Sequence, residues 1–337
     1  MPWKAEKDPY RIWLSEIILQ QTRVEQGQAY YERFVNKYPT ILSLANAIDT
    51  DVFKLWEGLG YYSRCKNLLF TARQIATEYG GIFPGTYDTI LKLKGVGPYT
   101  AAAISSFAYN LPHAVVDGNV TRVLSRYFGM DVAIDSTAGK EVFLQKAQQL
   151  LNKKTPGRYN QAIMDFGATI CKPQLPLCKE CFLQTNCAAF LTNQVHLLPV
   201  KSKKITRRSR WLNYIIIQFG EGVYIRKRQD KDIWQNLYEF TLLESEHSLS
   251  AQEVLNDDRL TYLKSEKFTI VFSSGVHKQA LTHQLINGLF IHVVVGSPVY
   301  IPGYEWIDLK KFDKFPFPRF ITSFLHNYPL KEPERSG

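Results

Sequence analysis

From Asp8 to about residue 190 the hydrophobic positions recur at three- and four-residue intervals, the spacing of one helix face. "DPYRIWLSEIILQQTRVEQ" opens with Asp8 as an N-cap and Pro9 at the first helical position, then sets Ile12, Trp13, Ile17 and Leu19 on a helical pattern. "ILSLANAIDTDVFKLWEGLG" and "CKNLLFTARQIATEYGG" repeat the style, and each closes on glycine. "YDTILKLKGVGPYTAAAISSFAYN" reads as two helices joined at Gly95-Val96-Gly97, and "NVTRVLSRYFG" and "GKEVFLQKAQQLLNKK" as two more.

The period then changes. "LPVKSKKITRRSRW", Leu198 to Trp211, holds six basic residues and no acid and reads as a linker. Beyond it, "NYIIIQF", "GVYIRKR", "YEFTLLE", "FTIVFS" and "GLFIHVVV" are short β-branched and aromatic runs bounded by turns. The pattern predicts a multidomain chain: an all-α domain over 1–197, the basic linker over 198–211, and an α+β domain with a central sheet over 212–337.

Composition adds two constraints. Over 337 residues, 45% are hydrophobic and 21% charged, enough for packed cores without disulfide staples. The net charge of +10 suits a nucleic-acid partner without requiring one. The N-terminus lacks the basic and apolar blocks of a secretion signal, and no apolar run reaches about 18 residues, so a cytoplasmic, membrane-free location is expected.

Candidate chemistry lies in four places. Four of the five cysteines, Cys171, Cys178, Cys181 and Cys187, fall within one short stretch, separated by six, two and five residues. That clustering points to a metal, and spacing leaves zinc and an iron–sulfur cluster both open. Cys65, in "YYSRCKNLL", reads as a packed thiol. At Gly95-Val96-Gly97, two glycines before a new helix permit close backbone approach and turn several N–H groups outward, an arrangement suited to a phosphate. Glu16 is the one ionisable group in "IWLSEIILQ", and burial there raises a carboxyl's pKa; a surface glutamate is the competing reading. Asp117, in "AVVDGNVTRVL", stands at a helix start that welcomes an anion, either as a plain cap or as one of a catalytic pair with Glu16.

"LKGVGPYTAAAI", "AVVDGNVTRVLSR" and the cysteine spacing together resemble the helix-hairpin-helix DNA glycosylases that carry a 4Fe–4S cluster. "WLSEIILQQTRV" and "LWEGLGYYSR" narrow the resemblance to the adenine DNA glycosylases (MutY type), strongly over 1–190 and loosely beyond. It implies a 4Fe–4S cofactor on the four cysteines, and removal of adenine mispaired with 8-oxoguanine or guanine in double-stranded DNA. A monomer in the bacterial cytoplasm, associated with the nucleoid, follows from the same resemblance.

The resemblance also implies roles. Glu16 protonates the departing adenine and handles the water, Asp117 stabilises the sugar cation, and Tyr99 and Asn119 support them. Related enzymes that nick DNA carry lysine where this chain has Tyr99, so base loss without strand cleavage is expected. Gln21 and Tyr61 enter the base stack, Gly95, Val96 and Gly97 approach the DNA backbone, and Trp3 and Gln161 line the adenine pocket. The C-terminal half resembles a Nudix fold whose catalytic glutamate run is missing from "LESEHSLSAQEVLNDDRL", so it implies recognition without pyrophosphate hydrolysis. Where relatives place Phe-Ser-His against 8-oxoguanine, this chain has Leu281, Thr282 and His283.

Overall fold

The computed structural model describes residues 3–4, 6–202, 206–264 and 266–330. Residues 203–205 of the basic stretch and 331–337 at the C-terminus lie outside the described residues. The chain divides into two compact units, one of Met1–Asn46 with Lys66–Lys204 and one of Ala47–Cys65 with Ile205–Gly337. No helix among the described residues is long and apolar enough to cross a membrane.

Helices come first in the chain: α1 (Pro9–Leu19), α2 (Val24–Lys37), α3 (Ile41–Ala45), α4 (Asp49–Trp56), α5 (Tyr62–Glu78), α6 (Tyr87–Leu91), α7 (Pro98–Tyr109), α8 (Gly118–Phe128), α9 (Thr137–Leu150), α10 (Pro156–Thr169) and the short α11 (Ala188–Leu191). The division between units falls inside α5 and assigns α4 to the second unit. As the sequence suggests, the Asp8 side chain caps α1 by accepting from Tyr10 N, with Pro9 at the helix start.

In the first unit α7 is the axis. Its "AAAIS" run is fully buried or nearly so, and the small side chains let neighbouring helices come close. Ala102, Ala103 and Val115 form one apolar cluster, and Val120, Leu124, Phe143 and Ala147 form another around α8 and α9. The loop after α10 carries the four cysteines and includes two short 3-10 turns, Cys178–Glu180 and Gln184–Asn186, which Cys181 and Cys187 directly follow.

The second unit is built on a nine-stranded mixed sheet: β1 (Arg208–Phe219), β2 (Gly222–Lys227), β3 (Tyr238–Glu239), β4 (Thr241–Ser245), β5 (Phe268–Ser273), β6 (His277–Ala280), β7 (Gln284–Gly288), β8 (Phe290–Val295) and β9 (Glu305–Asp308). Strand β1 is its spine, antiparallel to β2 and β4 and parallel to β7 and β8. It begins at Arg208, inside the basic stretch read as linker, because Arg208–Trp211 pair in register with Gln284–Asn287. Helices α12 (Ala251–Asn256), α13 (Thr261–Lys264) and α14 (Arg319–Asn327) complete the unit. Its core gathers Ile215, Ile217, Leu243, Val254, Ile291 and Val293, all nearly inaccessible. Helix α4 and the residue that caps it join this unit: Lys54 Nζ donates to Phe315 O at 3.1 Å, and Oε1 of Glu57, just past the helix, accepts from Phe317 N at 2.7 Å.

The turn between α6 and α7 gives its two glycines different reasons. Gly95 has φ +78°, and a Cβ there would stand 2.8 Å from Asn67 Cβ, so conformation and space both demand glycine. Gly97 has ordinary φ and nothing within 4 Å of an added Cβ, so the fold does not require it. Gly95→Ala is therefore expected to cost about 2 kcal/mol or more. Gly97→Ala should stay within about 0.5 kcal/mol. Thermal melts of both variants check this pair.

Candidate active site

Three of the residues singled out from sequence meet in the first unit. Glu16 sits on the inner face of α1 and is only 8% exposed. Tyr99, in the first turn of α7, hydrogen-bonds it, and Asp117 is near enough for its charge to act on it. Burial raises the Glu16 pKa from 4.5 to about 7; the Tyr99 bond pulls it down and the Asp117 charge pushes it further up. Burial together with the two carboxyl groups lifts Tyr99 well above its ordinary value, so it stays a neutral hydroxyl.

Asp117 is the N-cap of α8. Its Oδ1 accepts from Val120 N at 2.7 Å and its Oδ2 from Asn119 Nδ2 at 2.7 Å. The Asn119 amide cannot turn over, because its Oδ1 accepts from Arg122 Nη2 at 2.9 Å. Arg122 also donates to Gly118 O at 3.2 Å, Gly167 O at 2.7 Å and, through Nε, Cys171 O at 2.6 Å. One buried guanidinium thus ties the carboxylate's helix start to α10 and to the first cysteine of the loop.

One turn further along α8, Arg126 is 4% exposed. It donates to Lys172 O at 2.7 Å, Pro173 O at 3.2 Å and Leu198 O at 3.1 Å, with Nη1 3.5 Å from Cys171 Sγ. The sequence reading passed over both arginines. The sequence carried little signal for them: Arg122 and Arg126 lie four apart on the polar face of α8 with Asn119 and Ser125, a pattern that by itself reads as a solvated face, and only the packing shows both buried and paired.

Cys171, Cys178, Cys181 and Cys187 line one cavity, whose other walls include Val123, Phe166, Leu177 and Phe190. Among the described residues no three His, Cys, Asp or Glu side chains converge as the ligands of a single ion. Four sulfurs spread around a largely apolar cavity fit an iron–sulfur cube, which takes one thiolate per iron. Burial and the other three cysteines raise the Cys178 pKa. Cys65 is fully buried, and burial lifts its thiol pKa well above normal.

The remaining positions divide. Gln21 is exposed at φ 56° and Tyr61 is 43% exposed at φ 48°, both left-handed conformations that non-glycine residues rarely hold. Within the second unit the Tyr61 hydroxyl lies 2.5 Å from Thr282 Oγ1, and the Arg64 guanidinium stands over its ring. Thr282 belongs to the three-residue turn between β6 and β7, where His283 is exposed and its carbonyl accepts from Arg208 N at 3.0 Å. Trp3 packs edge-on to Tyr31 at 5.4 Å, and Gln161 donates to Asp165 Oδ1 at 3.0 Å. Val96 differs from its glycine neighbours: it is 8% exposed and its N–H donates to Leu93 O, so only the flanking backbone is presented. Helix α7 starts without a side-chain cap, which leaves its first N–H groups to an outside acceptor.

Residues 14–152 match the HhH-GPD superfamily of base excision DNA repair proteins, and residues 213–327 match the NUDIX domain. An adenine DNA glycosylase from Buchnera aphidicola subsp. Acyrthosiphon pisum is 30% identical over 334 residues, covering 97% of this chain and 93% of the relative. The chain belongs to the adenine DNA glycosylase family. The glycosylase is a hydrolase acting on N-glycosyl bonds in DNA. The adenine DNA glycosylase of Mus musculus is 42% identical over 199 residues, which are 56% of this chain and 39% of that one. Among solved structures, a thermostable thymine-DNA glycosylase matches with TM-score 0.53 and 30% identity, covering 57% of this chain and 88% of that chain. The helix-hairpin-helix domain followed by a Nudix-like domain is therefore the architecture of this glycosylase.

Two outcomes follow from the geometry. Folded Glu16 holds its proton to about pH 7 while the unfolded side chain releases it near 4.5. The stability it contributes is complete below 4.5 and is lost as pH rises through about 7. At the top of that range the loss is about 3 kcal/mol. Glu16→Gln should remove this slope, so denaturant midpoints at pH 5 and pH 8 should differ less in the variant than in the parent. Arg122→Gln leaves buried carbonyls unpaired and should cost about 2–4 kcal/mol, read as a lowered melting temperature.

Proposed function

We propose that this glycosylase removes adenine mispaired with 8-oxoguanine or guanine in duplex DNA, leaving an abasic site and an intact strand. The observation that carries the reading is the buried Glu16 with a pKa of about 7, bonded by Tyr99 and close to the Asp117 carboxylate. Glu16 donates its proton to the leaving base. Asp117, held by Val120 N and Asn119, faces the oxocarbenium-like sugar as charge develops there. Glu16, now a carboxylate, takes a proton from the water that completes hydrolysis.

Tyr99 hydrogen-bonds the acid and has no amine, so no Schiff base to the sugar forms. The uncapped start of α7, beside Gly95 and Gly97, receives a phosphate through backbone N–H groups, with Val96 as its buried anchor. Flipping the nucleotide costs about a few kcal/mol. The strained, outward Gln21 and Tyr61 occupy the stack, and Trp3 and Gln161 line the pocket that receives the base. Thr282 and His283 read the opposite base; the bond from Tyr61 to Thr282 supports this by tying the reading loop to the stacking residue. Cys171, Cys178, Cys181 and Cys187 hold a 4Fe–4S cluster. Its contribution when bound is structural: it fixes a loop that carries Lys172 and Lys179. The protein acts as a monomer in the bacterial cytoplasm.

A glycosylase assay on duplexes with adenine opposite 8-oxoguanine, guanine or thymine tests the reading, with alkali separating base loss from nicking. Adenine release opposite 8-oxoguanine and guanine is expected, with no borohydride-trapped adduct. The single-turnover rate should fall as pH rises through about 7, where Glu16 loses its proton. Glu16→Gln should bind the mismatch and release no adenine; excision at the parent rate would remove Glu16 from the acid role. Thr282→Ala combined with His283→Ala should lower preference for 8-oxoguanine over guanine, and unchanged discrimination would take the loop out of the mechanism.

A further inference from the structure

We infer that Asp165 is a specificity-determining positioning residue: with Lys4 it locks the Gln161 amide so that its oxygen, an acceptor, meets the base. The inference rests on the reading that Gln161 lines the base pocket, and it names what that pocket selects, a purine with an exocyclic amine rather than an oxo group at position 6.

Shape does not distinguish the two ends of a glutamine amide, so its bonding partners decide which end points where. Asp165 lies one turn after Gln161 on α10. Gln161 Nε2 donates to Asp165 Oδ1 at 3.0 Å, while Lys4 Nζ donates to Oδ2 at 2.7 Å. A carboxylate paired with a lysine only accepts, so the amide nitrogen must face Asp165 and the amide oxygen must face away. Among the described residues no hydrogen bond occupies that oxygen.

The root of Gln161 cannot move to undo this. A Cβ on Gly157 would stand 2.5 Å from Ser106 O, and one on Gly167 would stand 2.7 Å from Asn119 Cβ, so α10 is pressed close at both ends. Between them Asn160, next to Gln161, bonds Ser106 Oγ at 3.0 Å, His113 O at 2.9 Å and Val115 N at 3.1 Å. Lys4 is held in turn by the segment it belongs to, with Trp3 against Tyr31 and Lys7 Nζ on Phe107 O at 2.9 Å.

The Lys4–Asp165 pair is 36% and 40% exposed, so it adds little to stability. Its consequence is directional. An acceptor at Gln161 Oε1 satisfies the N–H of a 6-amino purine. The same acceptor opposes the oxygen of a 6-oxo purine and leaves both groups unpaired on binding. Replacing Asp165 by asparagine supplies a donor, so the Gln161 amide can turn over and accept either base.

The test uses the full chain and single-turnover excision of adenine and of hypoxanthine, each opposite 8-oxoguanine. Relative to the parent, Asp165→Asn should lower the adenine-to-hypoxanthine rate ratio by about tenfold or more, with melting temperature and duplex affinity near the parent values. Asp165→Glu, which restores an acceptor, should recover the ratio, and Lys4→Met should lower it partway. An unchanged ratio in Asp165→Asn, or an equal fall for both bases, overturns the inference while leaving the adenine reading intact. A parent protein that excises neither base overturns that reading and this inference with it.

Discussion

The chemistry proposed for this glycosylase depends on one carboxyl group kept out of water. Glu16 is buried on α1 with a hydroxyl bonded to it and a second carboxylate close by, and together these place its proton affinity near neutrality. Moving either neighbour would shift that balance. The Tyr99 bond lowers the pKa and the Asp117 charge raises it, so the value of about 7 reflects a particular spacing of three helices. The fully buried alanines of α7 are what allow that spacing, since larger side chains would hold its neighbours apart.

The second constraint runs through α8. Asp117 opens the helix, Asn119 turns its amide to Asp117, Arg122 fixes Asn119 and reaches Cys171 O, and Arg126 binds the next two carbonyls of the cysteine loop. Each member is oriented by the hydrogen-bond donors and acceptors of the next, and no member has spare capacity to rotate. The cysteine loop is therefore more than a surface appendage: its backbone oxygens are the counterparts of two buried guanidinium groups.

In the second unit the same logic of fixed orientation recurs. The aromatic ring of Tyr61 is held in a left-handed backbone, stacked by Arg64 and tethered by its hydroxyl to Thr282. An exposed tyrosine so restrained loses little further freedom when it stacks on another ring. The Nudix-like sheet supplies the turn that carries Thr282, and Arg208 at the start of β1 accounts for the strand reaching into the basic stretch.

Hydrophobic periodicity in the sequence determined the helical half, the strand-rich half and most individual elements, because burial on one face repeats locally. The four cysteines and the Asp117 cap were legible for the same reason: ligand spacing and helix caps are short-range. Strands β6, β7 and β9 were not legible, since "HKQA", "QLING" and "EWID" acquire strand geometry only by pairing with distant partners. Tertiary structure alone decided that Glu16, Tyr99 and Asp117 act on one another across about a hundred residues of chain, that Val96 turns inward while Gly97 stays open, and that Arg122, Arg126 and Asp165 set the orientation of residues the sequence had already marked. Orientation depends on which donor finds which acceptor, and that is settled by packing between segments rather than by order along the chain.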